Sequence, residues 1–358
     1  MRKSKTVLGD ICKITMGQSP DSSTYHTTNI GLPFYQGNAD FGELYPKTRI
    51  WCSRPQKIAE PENILLSVRA PIGALNIAKE KCCIGRGLAA IAPHKNFCFN
   101  KYLFYILKYK HNELNARGTG STFKAINKSI LNDLPIDIYP IDRQKRIAAI
   151  LDKATELIAL RKQQIQKLDL LVKSRFIEMF GNTQTNPKDL SLMPWCDVFL
   201  TTTGKLDSNA MVKNGQYPFF TCAKECFRID TYAFNCEALL LAGNNAAGIY
   251  DVKYYKGKFN AYQRTYVLRL INKQWSYKLF KIQLEDKLLY LQNQSKGSNT
   301  RYLTLGILNK LQFIVPPISE QNTFEAFVTQ VDKSKSTLQQ SLEKLKLNYK
   351  ALMQTYFG

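Results

Sequence analysis

Ile130-Leu131-Asn132-Asp133-Leu134-Pro135-Ile136-Asp137-Ile138-Tyr139-Pro140-Ile141-Asp142-Arg143-Gln144 decides the fold, because it is written a second time as Ile307-Leu308-Asn309-Lys310-Leu311-Gln312-Phe313-Ile314-Val315-Pro316-Pro317-Ile318-Ser319-Glu320-Gln321. The passages stand 177 positions apart. The same interval separates Gly120-Ser121 from Gly297-Ser298, Lys167-Leu168-x-Leu170 from Lys344-Leu345-x-Leu347, and Phe180-Gly181 from Phe357-Gly358. One offset held over so many markers is the signature of an internal repeat.

Downstream of each passage runs a heptad stripe: Ile147, Leu151, Ala154, Ile158, Arg161, Ile165, Leu168, Val172, Arg175 and Met179, then Phe324, Val328, Val331, Lys335, Leu338, Leu342, Leu345, Tyr349, Leu352 and Tyr356. Each predicts a helix of about 38 residues, roughly 57 Å long at 1.5 Å per residue. A small core does not cover such a rod, so it needs a partner, and the economical one is the other copy. The alternative is two helices that each pack on their own domain. Arg161, Arg175 and Lys335 mark places where the seam meets solvent or another protein.

Upstream lie two β-rich segments with many turn residues, such as Asn63-Ile64-Leu65-Leu66-Ser67-Val68 and Glu237-Ala238-Leu239-Leu240-Leu241. Gly31-Leu32-Pro33-Phe34-Tyr35 echoes Gly215-Gln216-Tyr217-Pro218-Phe219-Phe220, and Tyr102-Leu103-Phe104-Tyr105 echoes Tyr277-Lys278-Leu279-Phe280. The loops differ: Ser67-Val68-Arg69-Ala70-Pro71-Ile72-Gly73 faces Ala242-Gly243-Asn244-Asn245-Ala246-Ala247-Gly248. The expected division is a first domain over 1–141, a helix over 142–181, a second domain over 182–318 and a helix over 319–358.

Composition narrows the partners. The chain of 358 residues carries 50 Lys and Arg against 28 Asp and Glu, a net charge of +22. Residues 1–181 hold 28 of the basic and 15 of the acidic residues, so the excess is spread over both halves. A polyanion is the natural partner, with a lysine-rich solubilising surface as the plainer reading. Nine scattered cysteines suit reduced thiols in the cytoplasm, and Cys222-Ala-Lys-Glu-Cys226 lacks the second ligand pair of a zinc site, so no metal is expected. No stretch reaches the ~20 apolar residues of a membrane span, and Met1-Arg2-Lys3-Ser4-Lys5-Thr6 leads into a strand-like run rather than a signal core. Neither Gly204-Lys205 nor Gly257-Lys258 continues as a phosphate-binding loop. Val315-Pro316-Pro317-Ile318 lacks the flanks of an amino-methyltransferase motif, and His26, His94 and His111 suggest no triad, so no catalytic residue is expected.

Leu8-Gly9-Asp10-Ile11, Met16-Gly17-Gln18-Ser19-Pro20, Leu66-Ser67-Val68-Arg69-Ala70-Pro71-Ile72-Gly73, Gly85-Arg86-Gly87-Leu88 and the run from Gly120-Ser121-Thr122 to Gln144 resemble a target recognition domain of Type I restriction-modification specificity subunits. The resemblance covers essentially the whole chain. The second copy departs from it, with Gln312-Phe313 in place of Pro135-Ile136 and no match to Met-Gly-Gln-Ser-Pro. It implies an α+β fold: two related α/β target recognition domains separated by two long helices packed as an antiparallel coiled coil, with an internal pseudo-two-fold repeat. It also implies a non-catalytic subunit that reads an asymmetric bipartite target in double-stranded DNA and docks two methyltransferase subunits and the restriction subunits. S-adenosylmethionine, ATP and Mg²⁺ then belong to those partners, and this chain binds no cofactor.

DNA contacts are expected from polar residues in turns. In the first domain these are Gln18, Ser19, Gln36, Asn38, Arg69, Arg86, Thr119, Ser121 and Lys124; in the second, Lys224, Asn244, Asn245, Gln263, Arg264, Lys296, Ser298, Asn299 and Arg301. Arginine forks suit guanine or phosphate, and amides suit adenine. Structural ion pairs, and a tight turn at Gly243-Asn244-Asn245, are the competing readings. The rival functions are a recognition subunit with a fused methyltransferase-nuclease partner, a coiled-coil scaffold for RNA or acidic proteins, and an enzyme with an unrecognised site.

Overall fold

The computed structural model describes residues 3–120 and 124–358, and the chain divides into two compact units, Met1–Lys162 with Ser341–Gly358, and Gln163–Gln340.

In the first unit, strand Ser4–Val7 pairs antiparallel with Pro135–Ile138, joining the start of the head to its end. An antiparallel sheet follows in the order Cys12–Met16, Leu88–Pro93, Ile64–Ser67, Leu75–Ile77. A second sheet includes a parallel pair, Leu32–Tyr35 with Cys82–Ile84. The apolar run Ile64-Leu65-Leu66 is buried on both faces, because alternate side chains enter different cores. Ile64 and Leu66 join the core that includes the helix Asn100–Tyr109, whereas Leu65 packs with Ile84, Leu88 and Ala90.

The second unit repeats this plan with longer strands. Leu192–Pro194 pairs with Gln312–Ile314, and the main sheet runs Phe199–Thr203, Thr265–Leu270, Phe234–Ala242, Val252–Ala261, Tyr217–Phe220, Phe227–Ile229. Tyr217–Phe220 and Val252–Ala261 are again parallel. The Leu8 N–H donates to the Leu134 carbonyl at 2.9 Å, and the Trp195 N–H to Leu311 at 3.0 Å. Leu8 and Trp195 are 187 positions apart but Leu134 and Leu311 are 177 apart, so the second head is shorter, and the difference falls between Gly17 and Ile84.

The long helices are Ile141–Phe180 and Ile318–Phe357, 40 residues each and in register with the repeat. Pro140 and Pro317 precede them, and their carbonyls accept the first helical N–H groups. No residue of either heptad stripe is exposed. The repeated glutamines fasten helix to head. Gln144 accepts from the Phe99 N–H at 2.7 Å and donates to the Phe97 and Tyr139 carbonyls. Gln321 accepts from the Ser276 N–H at 3.0 Å and donates to the Pro316 carbonyl at 2.8 Å. Gln321→Leu keeps most of the volume but strands those buried backbone groups, so it should cost about 1–3 kcal/mol. Urea unfolding of the intact chain reads this, and an unshifted midpoint would show the bonds to be dispensable.

This anchor also corrects a register. Phe99 and Ser276 occupy equivalent places 177 apart, so Tyr102 corresponds to Leu279, two positions from the echo read in the sequence. Two of the polar interruptions, half-exposed, also hold ion pairs. Within the second unit Lys335 pairs with Asp169 of the other long helix, while Arg175 pairs with Glu178 at 2.9 Å and lies over the Phe327 ring. In the same unit Phe324 meets Phe176 and Phe180, so the two segments run in opposite directions. In the first unit Met353 joins Ile147, Ala148 and Leu151, and the Tyr109 hydroxyl donates to Gln354 at 2.8 Å. No helix among the described residues is long and apolar enough to cross a membrane.

Candidate nucleic-acid interface

In the first unit, backbone bonds draw the predicted turn residues together at one end of the sheets. The Gly17 N–H donates to Leu88 at 2.8 Å, the Gln18 N–H to Ile84 at 3.0 Å, and the Gly85 N–H to Tyr35 at 2.8 Å. Arg86 donates its N–H to the Ser19 hydroxyl at 3.2 Å. The Val68 N–H donates to Gly87, the Ile126 N–H to Val68, and Arg69 bridges to Ala125, which pairs with Thr119. Gln18, Ser19, Gln36, Arg69, Arg86, Thr119 and Lys124 thus share one continuous ladder; Asn38 opens the turn that follows Gln36. Asp40 closes that turn by accepting from the Gln36 N–H at 2.8 Å. Ser121 lies outside the described residues.

The second unit repeats most of these bonds, with the Gln263 N–H donating to the Leu206 carbonyl at 2.9 Å where Arg86 donates to the Ser19 hydroxyl. The Gly204 N–H donates to Thr265, the Tyr262 N–H to Phe220, the Gly243 N–H to Arg264 and the Leu303 N–H to Gly243, while Lys296 pairs with Tyr302. These bonds unite Asn244, Gln263, Arg264, Lys296 and Arg301, with Ser298 and Asn299 exposed between the last two. Lys224 is exposed two residues beyond Cys222, whose thiol donates to the Arg264 carbonyl at 3.4 Å.

Two predicted residues have structural duties. The Asn245 side-chain oxygen accepts from the Ala247 N–H at 2.8 Å, forming a tight turn. Arg301 donates to the Gln292 carbonyl at 3.3 Å, which anchors one end of its fork. The long cations are otherwise available. Head carboxylates pair elsewhere: Asp40 with Arg49, Glu113 with Lys110 and Arg117, Glu237 with Lys256, Asp251 with Lys253. Among the described residues none reaches Arg69, Arg86, Lys124, Lys224, Arg264 or Lys296, and all six are exposed. Burial pushes the Tyr25 phenol above its ordinary value, with Arg86 close enough to oppose that shift.

Sequence reasoning missed Lys205 and Tyr302. Lys205 follows Gly204, the equivalent of Gly17, so it takes the place of Gln18; the shifted 187 offset is the signal that finds it. Tyr302 is exposed between Asn244 and Lys296, where the first unit has Ala125. The ladder therefore holds Gln18, Ser19, Arg69 and Arg86 in one unit where it holds Lys205, Leu206, Asn244 and Gln263 in the other.

Comparison with known proteins agrees with the repeat. The profile of the Type I restriction modification DNA specificity domain matches residues 3–170 and again 187–347. The chain is 42% identical over 157 residues to the putative type I restriction enzyme MjaX specificity subunit of Methanocaldococcus jannaschii, covering 44% of this chain and 37% of that protein. It is 37% identical over 166 residues to the type I restriction enzyme EcoDI specificity subunit of Escherichia coli, covering 45% and 36%. These matches span well under half the length of either relative. For the fold alone, the S subunit of a Type I restriction-modification system from M. genitalium aligns over 99% of this chain and 96% of that one, with a TM-score of 0.68 and 14% identity. With the specificity-domain profile matched in both halves, the chain belongs to the family of type I restriction-modification specificity subunits.

Proposed function

We propose that the chain reads a bipartite, asymmetric DNA target, one part with each unit, and presents that reading to two methyltransferase subunits and to restriction subunits. The observation that carries the reading is the pair of ladders: equivalent bonds hold chemically different side chains, as a scaffold meeting two different half-sites requires. The long helices, about 60 Å each at 1.5 Å per residue, pack as an antiparallel coiled coil in this reading and set the interval between half-sites. S-adenosylmethionine, ATP and Mg²⁺ act on the partner subunits, and this chain contributes binding without catalysis.

The test maps N6-methyladenine in cells that express the chain with the methyltransferase encoded beside it. One gapped motif is expected. Exchanging residues 1–141 for the first domain of another family member should change one half of that motif and leave the other intact. An ungapped motif, or a change in both halves, would overturn the proposal.

A further inference from the structure

We propose that a groove in the second unit takes up aromatic side chains of a methyltransferase subunit, in a place that the first unit fills with tyrosines of its own, so that the two docking sites for that partner are unequal. This inference rests on the partner docking in the function above and names its chemistry. The groove holds about 700 Å³ and lies wholly within the second unit, between the helix Tyr277–Asp286 and the parts of the two long helices in that unit. Its floor is apolar, with Val172, Phe176, Ile282 and Val328 at the border of the core.

The repeat identifies the chemistry of the occupant. At the 177 offset, Val172 answers to Tyr349, Ile282 to Tyr105 and Asp286 to Tyr109. In the first unit Tyr105 is a core residue, Tyr109 and Tyr349 pack against that core, and Lys108 lies over the Tyr349 ring at 5.5 Å. Tyr105 donates its hydroxyl to Asp152 at 2.7 Å, and Tyr109 donates to Gln354 at 2.8 Å. The second unit has a smaller aliphatic side chain or a carboxylate at all three positions. Ile177, 59% exposed at the edge of the groove, stands where Gln354 holds Tyr109. The helical frame is kept while its three rings are withdrawn, which leaves an apolar hollow suited to rings supplied from outside.

Charge separates this groove from a DNA surface. Four lysines and four carboxylates line it, with Lys278 paired to Asp332 at 2.8 Å, Lys281 to Glu285 at 2.5 Å and Lys335 to Asp169 at 2.5 Å. In a chain of net charge +22, such a balanced rim gives a polyanion no net attraction. An apolar floor within a polar rim is instead the anatomy of a protein interface. The methyltransferase must reach bases held by the head, so a groove shared by a head helix and the long helices suits it better than the restriction subunits.

The experiment titrates the methyltransferase encoded beside this chain into the full chain and counts bound copies by native mass spectrometry. The unsubstituted chain should take up two. Val172→Tyr combined with Ile282→Tyr writes the rings of the first unit into the groove, and Ile177→Lys charges its edge at an exposed position. Each variant should weaken one of the two binding steps by about tenfold or more and leave the other unchanged. A misfolded double variant is recognised by its urea midpoint, and Ile177→Lys then decides alone. Two unchanged steps in a folded variant, or equal weakening of both, would overturn the proposal. So would normal uptake of the methyltransferase with loss of the restriction subunits, which assigns the groove to that other partner. If the unsubstituted chain takes up no methyltransferase, the docking function itself fails, and this is seen before any variant is made.

Discussion

Phe324→Ala is expected to destabilise the second unit by about 3–5 kcal/mol. The ring is fully buried and meets Phe176 and Phe180 edge-on, with centroids 5.8 and 5.5 Å away. Phe176 and Phe180 also contact each other at 5.3 Å, so truncation opens a cavity whose walls are rigid aromatic rings. Such walls relax poorly, which puts the cost toward the upper part of that range. Phe324→Leu, which keeps most of the volume, should cost less than half as much. Denaturant unfolding of the intact chain compares the two, and equal midpoints for wild type and Phe324→Ala would show that this cluster does not hold the helix start in place.

Gly204→Ala should be comparably severe, at about 3 kcal/mol or more. A Cβ there would lie 1.8 Å from the Ala261 carbonyl oxygen and 2.6 Å from that of Tyr262, both backbone atoms of the adjacent ladder. Gly17→Ala places the methyl 2.1 Å from the Gly85 oxygen. Neither clash is relieved by turning a side chain, so the strands themselves must part. Because each glycine serves only its own head, the effects should separate. Gly17→Ala should disturb one half of the methylated motif and Gly204→Ala the other; a loss of both halves in either variant, with the protein still folded, would contradict that separation.

The parts of the fold that were legible in the sequence are those with a strict period or a strict offset. The long helices were readable because an apolar residue every three or four positions survives any change elsewhere. Their ends were less so: Phe176 and Phe180 are buried beside the expected Arg175 and Met179, and Met353 beside Leu352. A helix of 3.6 residues per turn drifts about 20° per heptad against a 3.5 repeat, so the buried face moves by one position toward the tips. In the heads, the turn residues were found by composition, but the bonds joining them connect positions far apart in the chain. Gly17 touching Gly85, and Gly204 touching Ala261, leave no local trace beyond a glycine. Asn245 shows the opposite limit, since an asparagine that closes a turn and one that faces a ligand are spelled alike.

The shift from a 187 offset to a 177 offset has a consequence for inheritance. All of the length difference is absorbed before Ile84 and Ala261, and everything from there to the end of each long helix keeps step. A genetic crossover placed where the head meets the long helix, at Ile141 or Ile318, would join a different head to a rod whose heptad positions are all kept. On the function proposed above, such exchanges would give fresh combinations of half-sites with no compensating mutation in the helices.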